Sequence, residues 1–393
     1  MDTVQTRKER VLVSYGFSRL DDMLEKGNVW YANHYETYFD KVYVVYLSGD
    51  RQKPMTRGNT TLVSLGTGSK ALNLVMAPFR LYRFARSLGS CSYLTCDQVF
   101  SWWTSLLLVS LLGARIVLMP VCIPKESYAR TGRSLTSVLP IWLERLFIRL
   151  SYALASRVVT GKNIGVYIEW LSSMDSVRTK LRIVDVLVEE LPSTEFFQAL
   201  ADYHEESKGI APSPERQPVL LYVGRLHREK MVSDLIHVLR EIVDGGYKPT
   251  LVLVGDGEER ANLQELVKRL GLCDNVEFAG RKESGELVRY YKSAVLFLSP
   301  LTGTALREAA LCGVPVVAYN SDWVRGILKD GDNALLAEQG DRHSFAQQVI
   351  RALGNPQLRE SVSRNLKILA DLMWSPKGLQ AALTSTFAFK DRE

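Results

Sequence analysis

At 393 residues the chain is long enough for two or three domains, and its 46% hydrophobic and 23% charged content excludes disordered and fibrous classes. Five cysteines, with no CxxC pair and no Cys/His cluster, argue against a disulfide framework or a zinc site and suit a reducing compartment. The net charge of +6 is uneven: residues 1–190 hold 24 Lys and Arg against 16 Asp and Glu, and residues 191–393 hold 25 against 27. A basic front half asks for an anionic partner. With no helix-turn-helix, zinc-finger or RNP pattern, a membrane surface or a phosphorylated ligand fits better than nucleic acid.

The first ten residues are polar and charged, without the apolar core of a signal peptide. Apolar, β-branched runs then predict strands at Val11–Tyr15, Lys41–Leu47, Thr60–Leu65, Ser92–Thr95, Arg115–Met119 and Arg157–Thr160. Helical patterns fill the gaps, clearest over Ser69–Ser87 and Leu139–Ala155. The apolar stretch Ser101–Ile123 has nearly the length of a membrane span, but Gly113, Arg115 and Pro120 interrupt it. It reads instead as a buried helix (Trp102–Leu112), a glycine turn and a buried strand. Strands separated by helix-length segments imply parallel βαβ units.

Glu205–Gln217 is polar and rich in Pro, Ser and Gly, as linkers are. A second series follows it. Strands are expected at Pro218–Val223, Thr250–Val254, Val276–Phe278, Ala294–Leu298 and Val314–Tyr319, with another at Asn333–Leu336. Helices are expected at Ser233–Asp244 and Glu258–Leu270. The domains are therefore 1–205, a linker at 206–217, 218–372, and a closing segment at 373–393. Ligands in such sheets bind outside the carboxyl ends of the strands, and with two units the cleft between them is the expected site.

Three patterns carry chemistry. Val223-Gly224-Arg225-Leu226-His227-Arg228-Glu229-Lys230 leaves a strand and enters a helix. Arg225 and Lys230 can hold a diphosphate there, a guanidinium fork beside a point charge; the same residues also read as a solvated basic loop. Ser299-Pro300-Leu301-Thr302-Gly303-Thr304-Ala305-Leu306-Arg307-Glu308 reads as strand, small-residue loop and helix. Free N–H groups near Thr302–Ala305 form an anion site, and Gly303 lets the backbone approach a phosphate. Glu308, about one turn into the helix, can accept two ribose hydroxyls or simply interact with the dipole. Gly255-Asp256-Gly257 reads as a turn and helix start. Gly66-Thr67-Gly68-Ser69-Lys70 looks like a phosphate loop but lacks the GxxxxGK[ST] spacing.

In order and spacing, the strand–GRLxxxK element, GDG, Val-Glu-Phe-Ala-Gly-Arg (276–281) and SP–TGTALREA–CGVPVV closely resemble the carboxyl-terminal domain of GT-B glycosyltransferases, particularly the large retaining family 4. The resemblance covers about residues 218–372. It implies an α/β, GT-B fold of two Rossmann-like domains facing across a cleft. It also implies a nucleoside-diphosphate sugar of UDP or GDP type as donor substrate and no cofactor. The family's diphosphate-binding Arg and Lys fall on Arg225 and Lys230, with Gly224 at the strand exit. Its phosphate-binding helix start falls on Thr302, Gly303, Thr304 and Ala305, its ribose acid on Glu308, and its base-pocket loop on Arg281. Trp374-Ser375-Pro376 and the apolar helix Leu379–Phe387 resemble the segment that crosses back to the first domain.

Two departures stand out. The family often carries two acids with seven residues between them; Glu308 is the second, and Pro300 occupies the place of the first. The family's His after the acceptor-domain strand is replaced by Pro120-Val121-Cys122. His34 is the only histidine of the first half and reads as packed or exposed.

The expected reaction is transfer of a sugar to a hydroxyl acceptor in glycan, polysaccharide or glycolipid synthesis. Fixed cations and helix amides stabilise the leaving diphosphate, so no metal is required. Asp21-Asp22 begins a helical stretch and forms no DxD motif at a strand end. A retaining reaction needs no protein base; an inverting one has Asp97 as a candidate. The expected acceptor is lipid-linked or anionic. Expected location is cytoplasmic, with peripheral contact at the inner face of a membrane through the helix carrying Arg145 and Arg149. The alternatives are a catalytically degenerate nucleotide-sugar-binding subunit and a GT-B epimerase or inverting transferase.

Overall fold

The computed structural model describes residues 9–21, 31–89, 93–96, 112–119, 150, 152–161, 172, 175–184, 191–206, 217–301, 303–321 and 324–388. Contacts divide the chain into two units, Met1–Glu189 with Gln380–Glu393, and Glu190–Leu379.

The first unit is an eight-stranded sheet in the order β3-β4-β2-β1-β5-β6-β7-β8. Its strands are β1 (Val11–Arg19), β2 (Lys41–Ser48), β3 (Met55–Arg57), β4 (Thr60–Ser64), β5 (Tyr93–Cys96), β6 (Arg115–Leu118), β7 (Arg157–Gly161) and β8 (Leu181–Val184). All pairs are parallel except β3–β4. The edge strand β3 is too short and polar to show a period-2 pattern; it exists because Gly58, at φ +61°, turns the chain back along β4. Helix α1 (Lys70–Ser87) follows β4 and is capped by the Ser69 hydroxyl, which accepts from the Leu72 amide. It buries Ala77, Leu81 and Ala85. Around it Val13, Val45, Leu94, Ile116 and Leu118 form the core. His34 lies in the 3-10 helix Tyr31–Thr37 and is 4% exposed, a packed histidine. Helix α2 (Asp175–Arg178) is a single turn before β8.

The second unit is a six-stranded, wholly parallel sheet in the order β11-β10-β9-β12-β13-β14. The strands are β9 (Val219–Val223), β10 (Thr250–Val254), β11 (Val276–Gly280), β12 (Leu296–Ser299), β13 (Val316–Tyr319) and β14 (Leu335–Ala337). Strands β12 and β13 are buried at every position, as a sheet covered on both faces requires. The covering helices are α3 (Thr194–Glu206), α4 (Val232–Asp244), α5 (Arg260–Arg269), α6 (Ser284–Ser293), α7 (Thr304–Leu311), α8 (Arg342–Gly354) and α9 (Pro356–Met373). Helix α10 (Pro376–Phe387) closes the chain.

The boundary differs from the one expected at residue 205. It falls at 189/190, ahead of α3. Phe196 of α3 is 1% exposed and lies edge-on against Tyr291 of α6, their ring centroids 6.1 Å apart. This packing ties α3 to the second sheet although the linker-like composition starts after it. Of the closing segment expected at 373–393, the part from Gln380 groups with the first unit and the part up to Leu379 with the second. Phe387 sits among Tyr35, Phe39 and Tyr93, with centroids 5.0–5.9 Å away. Buried Arg157, first residue of β7, donates to the carbonyls of Ser385, Thr386 and Ala388 at 2.9–3.1 Å.

The expected helix Trp102–Leu112 lies outside the described residues except for Leu112. So do Asp97, Pro120–Cys122, Arg145 and Arg149. Of the expected helix over 139–155, the described part is helical at 150 and 152–154. Among the described residues no helix is long and apolar enough to cross a membrane.

Candidate active site

The order of the second sheet reverses at β9: β10 and β11 extend to one side, β12 to β14 to the other. Such a reversal opens a crevice at the carboxyl ends of the two central strands. Strands β9 and β12 pair directly, Leu220 with Leu296 and Leu221 with Phe297. The loop Gly224–Lys230 therefore leaves the sheet from the strand next to the one that leads into α7.

The first loop is fastened from beneath. Leu226 is fully buried. The Gly224 amide donates to the Val254 carbonyl and the Leu226 amide to the Asp256 carbonyl, both at 3.0 Å. Here the GDG turn finds its purpose. A Cβ on Gly255 would stand 1.9 Å from the Gly224 carbonyl oxygen, and one on Gly257 would stand 2.4 Å from that of Leu226. Only glycine permits this approach. The Gly255 amide also donates to the Gly280 carbonyl at 2.8 Å, so the exits of β9, β10 and β11 are stitched side by side. Tyr222 adds a buried hydroxyl that donates to the Arg225 carbonyl at 3.1 Å; burial pushes that phenol well above its usual range.

With its backbone held, Arg225 projects outward and pairs with Glu229 at 3.0 Å, both side chains largely exposed. Such a surface pair contributes ~0–1 kcal/mol. Residues Arg228–Lys230 form a 3-10 turn, in which the Lys230 amide donates to the His227 carbonyl at 2.9 Å. The next residue, Met231, has φ 54° and ψ 30°, the one non-glycine left-handed residue among those described. A left-handed L-residue costs ~1–2 kcal/mol. That kink turns the chain from the Lys230 loop into α4.

On the neighbouring strand, Gly303 caps α7 with nothing within 4 Å of where a Cβ would stand. Gly303 is exposed, and Thr304 and Ala305, the first residues of the helix, are half-buried. Glu308 lies on the second turn of α7, and its carboxylate accepts the Tyr291 hydroxyl at 2.7 Å. Burial pushes the Glu308 carboxyl up to about 7, while the Tyr291 hydrogen bond pulls it back. Tyr291 is fully buried. A second link, Lys292 Nζ to the Cys312 carbonyl at 3.0 Å, holds α6 to the far end of α7.

The structure thus brings Gly224, Arg225, Lys230, Gly303, Thr304, Ala305 and Glu308 to adjoining strand ends. Arg281 is exposed beyond β11, two strands from β9. Thr302 lies outside the described residues. Pro300 is buried at the end of β12, so no carboxylate stands there. Tyr291 and Met231 went unnoticed in the sequence. Each reads as an ordinary apolar helix or loop position, and only the fold puts one against Glu308 and gives the other positive φ.

Residues 204–368 match the family model described as glycosyl transferases group 1. In this segment the chain is similar to group 1 glycosyltransferases. Its curated relatives include N-acetyl-alpha-D-glucosaminyl L-malate synthase of Bacillus anthracis, 28% identical over 155 residues, 39% of this chain and 40% of the relative. Another is 2-deoxystreptamine glucosyltransferase of Streptomyces kanamyceticus, 29% identical over 180 residues, 44% of this chain and 46% of the relative. The matches thus span less than half the length of these relatives. Solved structures resemble the chain along nearly its whole length. Sucrose-phosphate synthase of Thermosynechococcus elongatus has a TM-score of 0.68 at 15% identity, covering 95% of this chain and 97% of that one. HepE of Anabaena in complex with UDP has a TM-score of 0.66 at 14% identity, covering 96% and 99%. The fold is GT-B, and the segment similar to group 1 glycosyltransferases lies in its second unit.

Proposed function

We propose that the chain transfers a sugar from a nucleoside-diphosphate sugar to a hydroxyl acceptor in glycan, polysaccharide or glycolipid synthesis. The observation that carries this reading is the reversal of strand order at β9 and β12. It supports the reading because the loop that carries Arg225 and Lys230 leaves β9 next to β12, the strand that leads into α7. Departure of the sugar leaves negative charge on the diphosphate. Arg225, Lys230 and the amides at Gly303–Ala305 offer fixed positive charge to it with little reorganisation. Glu308 then receives the ribose hydroxyls. The cations supply what a metal supplies elsewhere, so the reaction is read as metal-independent and retaining, with the leaving phosphate taking the acceptor proton. UDP is the first donor base to test, because the solved relative HepE was crystallised with it. The acceptor is read as lipid-linked or anionic, met at the inner face of a membrane by the basic first half.

A second reading is favoured by Pro300: without an acid at that place, the chain binds the nucleotide sugar but serves a partner as a subunit. Thermal unfolding with a panel of nucleoside diphosphates, on wild type and Glu308→Ala, tests the donor site. At 100 times its Kd a ligand stabilises by ~2.7 kcal/mol, and each kcal/mol moves the midpoint by roughly 2–4 °C. One diphosphate shifting wild type but not the variant supports the donor site; no shift with any diphosphate rejects it. Sugar transfer by the purified chain then excludes the subunit reading. Interconversion of sugar nucleotides without diphosphate release points to epimerisation instead.

A further inference from the structure

Helix α1 shows an apolar face that its own sheet does not use. Leu72, Val75 and Phe79 are 48%, 58% and 53% exposed. Arg83 and Arg86 are exposed as well. The steps of three, four, four and three residues from 72 to 86 keep all five on one stripe of a 3.6-residue helix. Ala77, Leu81 and Ala85, 0–1% exposed, lie on the opposite side. The stripe is sorted along its length, with three apolar residues in the amino-terminal turns and two arginines toward the carboxyl end.

Charge decides what this face fits. The helix Lys70–Ser87 contains no Asp or Glu, and it belongs to the half of the chain with the excess of basic residues. Three half-exposed apolar side chains ask for an apolar partner, and an acid-free helix with two outward arginines asks for an anionic one. An anionic lipid surface meets both demands at once: acyl chains take the apolar side chains, and headgroup phosphates take the guanidinium groups.

We infer that α1 is the membrane-docking face of this protein, laid on anionic lipid through Leu72, Val75 and Phe79 with Arg83 and Arg86 at the headgroups. This rests on the membrane contact proposed above and names the surface that makes it. Helix α1 starts directly after β4, so its amino end lies at the carboxyl ends of the strands of the first sheet. Docking by the first turns brings that end of the sheet to the lipid–water boundary, where a lipid-linked hydroxyl lies.

The test is co-sedimentation of the full chain with phosphatidylcholine vesicles, with and without 30 mol% phosphatidylglycerol, at low and high salt. Wild type is expected to sediment with the anionic vesicles, less so at high salt. Arg83→Ala with Arg86→Ala should weaken binding roughly 5-fold per arginine. Phe79→Glu should lower it at least ~10-fold. Unfolding midpoints and diphosphate shifts are measured on the same samples. Both should stay at wild-type values, because these side chains are outside the donor site and half-exposed. A loss of vesicle binding with the diphosphate shift intact supports α1 as the docking face even if transfer activity is never found. No sedimentation of wild type with anionic vesicles overturns the inference. So does unchanged binding of the variants. If Phe79→Glu instead turns a dimer into a monomer, the face belongs to a second copy of the chain and the inference falls.

Discussion

Glu308 carries the sharpest consequences at the scale of single residues. Burial raises its carboxyl from 4.5 to about 7. A group whose folded pKa is raised holds its proton better in the folded state, so its contribution to stability falls as pH rises from about 4.5 to about 7. Ligand binding runs the other way. Only the carboxylate can accept two ribose hydroxyls, so nucleotide affinity should rise as pH passes 7. Calorimetric titration should find UDP roughly tenfold weaker at pH 6 than at pH 8. Glu308→Gln should bind weakly at both. Tyr291→Phe keeps the ring contacts with Phe196 and Phe297 but removes the hydrogen bond that lowers the Glu308 carboxyl. The midpoint of the pH dependence should therefore move up, a response that plain loss of packing would not give. Met231 makes a separate point. A β-branched residue tolerates positive φ poorly, so Met231→Val should cost ~1–2 kcal/mol and weaken diphosphate binding through the displaced Lys230.

Among the elements, the strand exits are the unit that matters. The β9 loop touches ligand in the proposed reaction, but the β10 turn decides its position. Gly255 has φ +138° and leaves 1.9 Å between a would-be Cβ and the Gly224 carbonyl oxygen. Gly255→Ala should therefore lower the midpoint of the second unit and abolish the diphosphate shift together, with a cost above ~3 kcal/mol as for other strained or overpacked sites. Asp256→Ala is the comparison. Its largely exposed carboxylate pairs with Arg260 at 3.5 Å and accepts the Gly257 amide at 2.8 Å, so stability should fall by about 1 kcal/mol, well short of the Gly255→Ala cost. If both variants behave alike, the GDG turn is not the buttress its geometry implies. Helices α6 and α7 are coupled in a similar way, through Tyr291–Glu308 at one point and Lys292–Cys312 at another.

For the whole molecule, the first unit is completed by the far end of the chain. Phe387 fills an aromatic cluster made by residues more than 290 positions earlier, and Arg157 satisfies three carbonyls at the end of α10. Phe387→Ala should cost the unit ~3–5 kcal/mol. Removal of residues from Gln380 onward should leave it unfolded by tryptophan fluorescence and circular dichroism. An unchanged midpoint in either variant would show that the cluster holds little energy. The late closure of this contact also adds long-range topology to an otherwise local βαβ fold.

Periodicity and local chemistry were enough to reveal the strand–helix alternation, the parallel sheets and the GRLxxxK and TGTALRE loops. These depend on neighbours in sequence: β-branched runs make buried strands, and glycine and small residues mark their exits. Strands β3 and β8 and helix α3 escaped because short, largely exposed edge strands and a helix beside linker-like composition carry weak local signals. Tertiary structure alone decided which strands neighbour which. The reversal at β9 put the loop of Arg225 and Lys230 on the strand next to the one that leads into α7, set the GDG turn beneath that loop, and the packing of α6 on α7 brought buried Tyr291 to Glu308. A single chain of letters records which residues are apolar or charged. Whether two of them meet depends on strand order and burial, which are properties of the folded whole, and these also set the carboxyl's proton affinity.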